Sequence, residues 1–169
     1  MKFTVHGSGA TRPRSRSQRG SAMVEQALVM LPMMAIGLSL LDYPLAIFLQ
    51  NTLRNAVREG VRFAITQQTG AGGQDAAIES AVEQNSLGFL NTSSIAAGTA
   101  TFAVQYYSPS TLTAVSGAGS NAQGNICVVT ATIQHGWMVP IWKSAGLMTF
   151  TASSADVMEA PPNGILPTR

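Results

Sequence analysis

QALVMLPMMAIGLSLLDYPLAIFL, residues 26–49, holds one charged side chain, Asp42, and decides the architecture of the chain. As a helix these 24 residues extend ~36 Å at 1.5 Å each, enough to cross a hydrocarbon core ~30 Å thick. The charge-free part, Ala27–Leu41, reaches only ~22 Å, which places Asp42 in the far half of a bilayer. A carboxylate there costs ~2.5–3.5 kcal/mol if central and less near the interface. The summed burial of leucine, isoleucine and methionine outweighs that, so the sequence predicts a transmembrane helix over 21–49. Pro32 and Pro44 each remove one helical hydrogen bond, a loss that membrane helices tolerate.

N-terminal to this run, MKFTVHGSGATRPRSRSQRG (1–20) is a basic leader. Lys2, Arg12, Arg14, Arg16 and Arg19 are half of the ten basic residues of the chain, and no acid accompanies them. Such a segment cannot bury enough apolar surface to order itself. From residue 21 onward five basic residues face eight acidic ones, a net charge of −3, so the overall +2 belongs to the leader. That distribution excludes the clustered folded basic surface of a nucleic-acid binder. Five basic residues before the span, against Arg54, Arg58 and Arg62 after it, place the N-terminus in the cytoplasm and the C-terminal domain outside. The single cysteine, Cys127, excludes an intramolecular disulfide.

C-terminal to the run the helical pattern continues. Leu49, Leu53, Ala56, Val57, Val61, Ala64 and Ile65 form a 3.6-residue stripe. Arg54, Arg58 and Arg62 recur opposite it, with Glu59 in reach of Arg62. One long helix over about 22–67 results, with 50–67 its periplasmic continuation. TGAGGQ (69–74) breaks it, and a second helix follows over about 75–85. NTSS (91–94) reads as a loop and SGAGSNAQGN (116–125) as a flexible turn. Between and after them the period is two, giving strands over 99–107, 125–134 and 147–158. The fold class expected is α+β: a long transmembrane and amphipathic helix, one short helix, then an antiparallel sheet of three to four strands. The small outer domain spans 68–160, and the proline-rich 161–169 reads as a flexible tail that frays.

The junction Arg19-Gly20-Ser21-Ala22-Met23-Val24-Glu25 precedes the apolar run directly. Basic leader, glycine, then a glutamate at the start of a hydrophobic helix resembles a type IV prepilin processing site. Residues 19–66 more narrowly resemble the TadE-like family, minor pseudopilins of the tight-adherence (Flp) pilus system. Glu25, Leu31-Pro32, Asp42 and the run Ala56-Val57-Arg58-Glu59-Gly60-Val61-Arg62 carry the likeness; Gln26 stands where the family commonly has an aromatic. The resemblance implies a pilin-like fold and a cut between Gly20 and Ser21 by a prepilin-type peptidase. It further implies assembly through Glu25, whose carboxylate pairs with the freed α-amine of a neighbouring subunit. The partners implied are that peptidase, other pilin-like subunits, tight-adherence membrane proteins and the inner-membrane bilayer. No nucleic acid, cofactor or metal enters.

The remaining candidates are weaker. Glu25 also serves as an acid at a helix N-terminus. Asp42 is a candidate for intramembrane pairing with a partner's cation, or for reaching to the outer interface. The arginine ridge reads as a solvated face. Cys127 and His135, eight residues apart on one strand, lie ~26 Å from each other and cannot share a metal. Trp137 and Trp142 are an interfacial or binding patch, or simply packing. No phosphate loop, zinc-protease or nucleophile-elbow motif is present, so no enzyme is expected. The alternative to a pseudopilin is an uncleaved membrane-tethered periplasmic binding or adhesion module, using Tyr106/Tyr107 and Trp137/Trp142. A secreted enzyme fits least, because the only small residue suited to signal cleavage after the run, Ala46, follows Pro44 by two.

Overall fold

The computed structural model describes residues 17–139 and 144–169, and the leader expectation for residues 1–16 lies outside them. Helix α1 runs without a break from Ser17 to Ile65, through both prolines. The chain divides into two compact units, residues 1–39 and 40–169. In the first, the described part is α1 itself, with Ser39 Oγ donating to the Ala35 carbonyl at 2.7 Å.

The second unit is built around the apolar stripe of α1. Leu49, Leu53, Ala56, Val57, Val61 and Ala64 are all buried. Helix α2 (Gln74–Asn85) brings Ile78 and Val82 to the same core. The short helix α3 (Thr92–Ala96) stands where a loop is expected. Asn91 explains the difference: its side chain accepts from the Ser94 N–H at 2.8 Å while Ser94 Oγ accepts from the Asn91 N–H at 3.0 Å. That reciprocal cap stabilises one turn that carries no apolar periodicity.

Four strands follow: β1 (Ala100–Tyr107), β2 (Ala114–Val115), β3 (Ile126–Gly136) and β4 (Leu147–Val157). All pairings are antiparallel, in the order β2-β1-β3-β4. Residues Cys127, Val129, Ala131 and Ile133 of β3 alternate into the core, the period-two burial of a sheet with one covered face. The α+β expectation holds, with β2 the added strand; two residues long, it leaves no periodicity to detect.

Three of these segments carry contacts that composition does not show. The second compact unit takes in the end of the apolar run from Leu40 onward, and Asp42 and Leu49 are buried in it. Turn 116–125 is pinned rather than flexible: Ser120 and Asn121 are buried, and Asn121 Nδ2 donates to Gln74 Oε1 at 2.5 Å. Tail 161–169 does not fray at its end. Gln74 N–H donates to the Thr168 carbonyl at 2.7 Å, and Asn121 Nδ2 to the Pro167 carbonyl at 2.9 Å. Gly73 makes the docking fit: its φ is +90°, and a Cβ there would lie 2.7 Å from the Arg169 carbonyl carbon.

Candidate assembly site

The exposed face of α1 is the first candidate surface. Met23, Val24, Leu28, Met30, Leu31, Met33, Met34 and Ile36 are all exposed. This is the one described helix long and apolar enough to cross a membrane, and none of its apolar window is buried inside the protein. The core helix of a soluble domain would be covered; one N-terminal apolar helix left bare over this length suggests single-pass membrane anchoring. Gly20 and Glu25 lie on this helix and are exposed, and a Cβ at Gly20 would touch nothing. The Gly20–Ser21 bond lies in the first turn of α1.

Residues 20–62 match the TadE-like protein family. The matched segment starts at the junction glycine and ends on the last arginine of the ridge, inside the stretch whose motifs suggest that family. A comparison with curated proteins and one with solved structures give no match.

Within the TadE-like segment the structure separates the candidate residues. Asp42 is buried, its Oδ1 accepting from the Met138 N–H at 3.0 Å. Its Oδ2 has no hydrogen-bond partner among the described residues. Arg54, Arg58 and Arg62 are exposed, and the one ion pair among the described residues, Asp75–Arg169, does not involve them or Glu59. They form a solvated face. Gly60 is buried where α1 meets α2, and a Cβ on it would come 2.3 Å from Val82 Cγ2.

Outside that segment the sequence missed a partly buried polar cluster at the far end of the sheet. Tyr106 is 1% exposed and its hydroxyl donates to Asp75 Oδ1 at 2.9 Å. Arg169 donates to Asp75 Oδ2 from Nε at 3.0 Å and from Nη2 at 2.8 Å. Its guanidinium stacks 4.5 Å from the centre of the Tyr106 ring and donates to Ser120 Oγ at 2.6 Å. Two guanidinium N–H groups converging on one carboxylate oxygen, plus a stacked ring, are geometry that arginine supplies and lysine does not. Gln67, at φ 57° just past α1, is held there by its side chain donating to the Asn121 carbonyl at 2.9 Å and the Glu159 carbonyl at 3.1 Å. The one available signal was a lone arginine closing an apolar tail.

This cluster corrects the tethered-module surface. Tyr106 is buried opposite Cys127, while Trp137 lies beyond the other end of β3, ~33 Å away along the strand. The tyrosine pair and Trp137 therefore do not share one surface; Trp142 lies outside the described residues. His135 Nδ1 sits 2.7 Å from the Gly136 carbonyl, and no metal-capable group of side chains occurs among the described residues.

Burial, with smaller help from the Cys127 thiol and the Asp75 hydrogen bond, pushes the Tyr106 hydroxyl up, against the opposing charge of Arg169. Arg169 is itself raised, chiefly by its hydrogen bonds to Asp75. Burial, then the nearby Asp75 charge, pushes the Cys127 thiol up to about 12 from an ordinary 9.0. The folded chain keeps this proton where the unfolded chain releases it. Its contribution to stability is therefore full below about pH 9 and is lost as pH rises towards about 12. Urea midpoints of the wild type should fall across that window, and Cys127→Ala should flatten the fall; an equally steep fall in the variant would remove Cys127 as the cause.

Proposed function

We propose that this protein is a minor pseudopilin of the tight-adherence pilus machinery. It sits in the inner membrane through the apolar part of α1, N-terminus cytoplasmic and outer domain periplasmic. A prepilin-type peptidase cuts between Gly20 and Ser21, and Glu25 then pairs with the freed α-amine of a neighbouring pilin-like subunit. The observation that carries this reading is the TadE-like match over 20–62, which begins at the junction glycine and takes in Glu25. The bare apolar face of α1 supports it, because such a face suits packing beside other helices in lipid as well as anchoring. The role is structural, with the outer domain priming or regulating filament growth rather than catalysing a reaction. N-terminal sequencing and intact mass of protein from native membranes test it. A start at Ser21 is expected; a start at Met1 would mean an uncut anchor, and one near Ile47 a secreted protein.

A further inference from the structure

The order β2-β1-β3-β4 makes β4 an edge strand. Its eleven residues pair with β3 in one unbroken register, without the bulge, proline or lysine that blunts most exposed edges. Residues 147–155 carry no charge. Backbone groups along an antiparallel strand point alternately to one side and the other. Gln134 N–H donates to the Thr99 carbonyl, on the β1 side of β3, and Met158 N–H donates to the Asn125 carbonyl, on the β3 side of β4. Those bonds fix the alternation, so the N–H and C=O groups of Thr149, Thr151, Ser153 and Ala155 face away from β3. Among the described residues their one partner is Gln50, whose Nε2 donates to the Thr151 carbonyl at 3.0 Å; that carbonyl keeps a second lone pair. Val157 N–H, donating to Asp156 Oδ1 at 2.8 Å, closes the open stretch.

The two faces beside this edge differ. On the outer face Thr149, Thr151 and Ser153 are exposed. On the core face a groove of about 290 Å³ runs between Phe150 and α1. Ala46, Ile47 and Phe150 make its apolar wall, and Arg54 lines it as well. Arg54 is exposed, and no acid among the described residues pairs with it.

We propose that the open edge of β4, residues 149–155, receives an extended segment of another protein as a fifth strand. Main-chain bonds to the edge give such a complex its affinity, and pockets for alternate side chains give it specificity. The two faces state the chemistry of the segment. Its outer side carries threonine or serine, which pair well across strands with Thr149, Thr151 and Ser153. Its inner side carries an aliphatic residue for the Ile47–Phe150 groove and a carboxylate for Arg54. A second copy of this chain does not supply that carboxylate in place: β1 and β2, which form the other edge, contain no acid, and the one acid of β4, Asp156, lies where the open stretch closes. The inference is independent of the cut after Gly20 and of the pairing through Glu25.

Residue-resolved amide exchange on the full chain in detergent tests this. The probe is a short capped peptide in which threonine alternates with valine and one valine is replaced by glutamate. Without peptide the outward amides of Thr149, Thr151, Ser153 and Ala155 are expected to exchange freely; under saturating peptide they slow by on the order of tenfold. Ser153→Pro removes one outward N–H, a change that an edge strand tolerates, and is expected to abolish the slowing while the β3-facing amides of β4 stay protected. Arg54→Glu is expected to weaken the peptide about fivefold, and lysine in place of its glutamate to restore binding. No slowing at millimolar peptide, equal slowing in Ser153→Pro, or unchanged affinity in Arg54→Glu each overturns the proposal. Outward amides already slow without peptide also overturn it: release on dilution would assign the edge to a second copy, and no release to cover by the chain itself.

Discussion

Gly60→Leu is expected to undock α2 from α1 and unfold the outer domain. A Cβ at residue 60 already falls 2.3 Å from Val82 Cγ2 and 3.7 Å from Ile78 Cγ2. Val82 is fully buried and β-branched, hence held in one rotamer within a helix; it has nowhere to turn. Overpacking of this kind costs ~1–3 kcal/mol for small additions, and a whole leucine side chain exceeds that. Against a typical domain stability of roughly 5–15 kcal/mol, such a loss removes much of the folded population. Gly60→Ala is the sharper probe. Helix propensity alone would make it stabilising by ~1 kcal/mol, whereas the contact with Val82 predicts a net loss. Urea unfolding of the full chain in detergent, followed by circular dichroism, measures the sign. A variant as stable as the wild type, or more so, would show that the helices yield at no cost.

Gly60 also shows what the sequence made legible. Ala56-Val57-Arg58-Glu59-Gly60-Val61-Arg62 read as a family motif on an amphipathic helix, and the helix stripe followed from its period. The reason for the glycine did not, since the residue opposite it, Val82, is 22 positions away. Local periodicity likewise placed α2, β1, β3 and β4 to within a residue or two. It failed where a structure depends on side-chain hydrogen bonds rather than on apolar spacing. Helix α3 exists because Asn91 and Ser94 cap each other, and turn 116–125 is ordered because Asn121 meets Gln74 and Pro167. The tail docks because Arg169 finds Asp75 and Tyr106, 94 and 63 residues earlier. Composition identifies Gly-, Ser- and Pro-rich segments as loops but carries no information on what they touch.

The candidate site divides the same way. The junction, Glu25 and the apolar run are linear features, and all were visible. Asp42 was legible as an anomalous charge, but its bond to Met138, 96 residues on, was not. The sequence gives no sign that Asp42 and Leu49, both inside the apolar run, are buried in the second compact unit.

Glu25→Leu is expected to leave insertion intact and to abolish assembly. The carboxylate opposes transfer into hydrocarbon, by up to ~2.5–3.5 kcal/mol at the centre and less near an edge, so its loss does not hinder insertion. In the proposed assembly it also accepts a neighbour's ammonium. A charge-assisted hydrogen bond is worth ~1.5–3 kcal/mol, which corresponds to about ten- to a hundredfold in association for each subunit. Apolar helix contacts remain in the variant, but nothing is left to select one register among several along a stripe of Leu and Met. The most direct test of the account is photo-cross-linking in native membranes from a probe at Leu31, an exposed residue of α1, with and without Glu25→Leu. The account predicts adducts with pilin-like subunits in the otherwise wild-type chain and their loss in the variant, at equal membrane content. Adducts of the same partners at the same yield in the variant, or adducts with lipid alone in both, would contradict it.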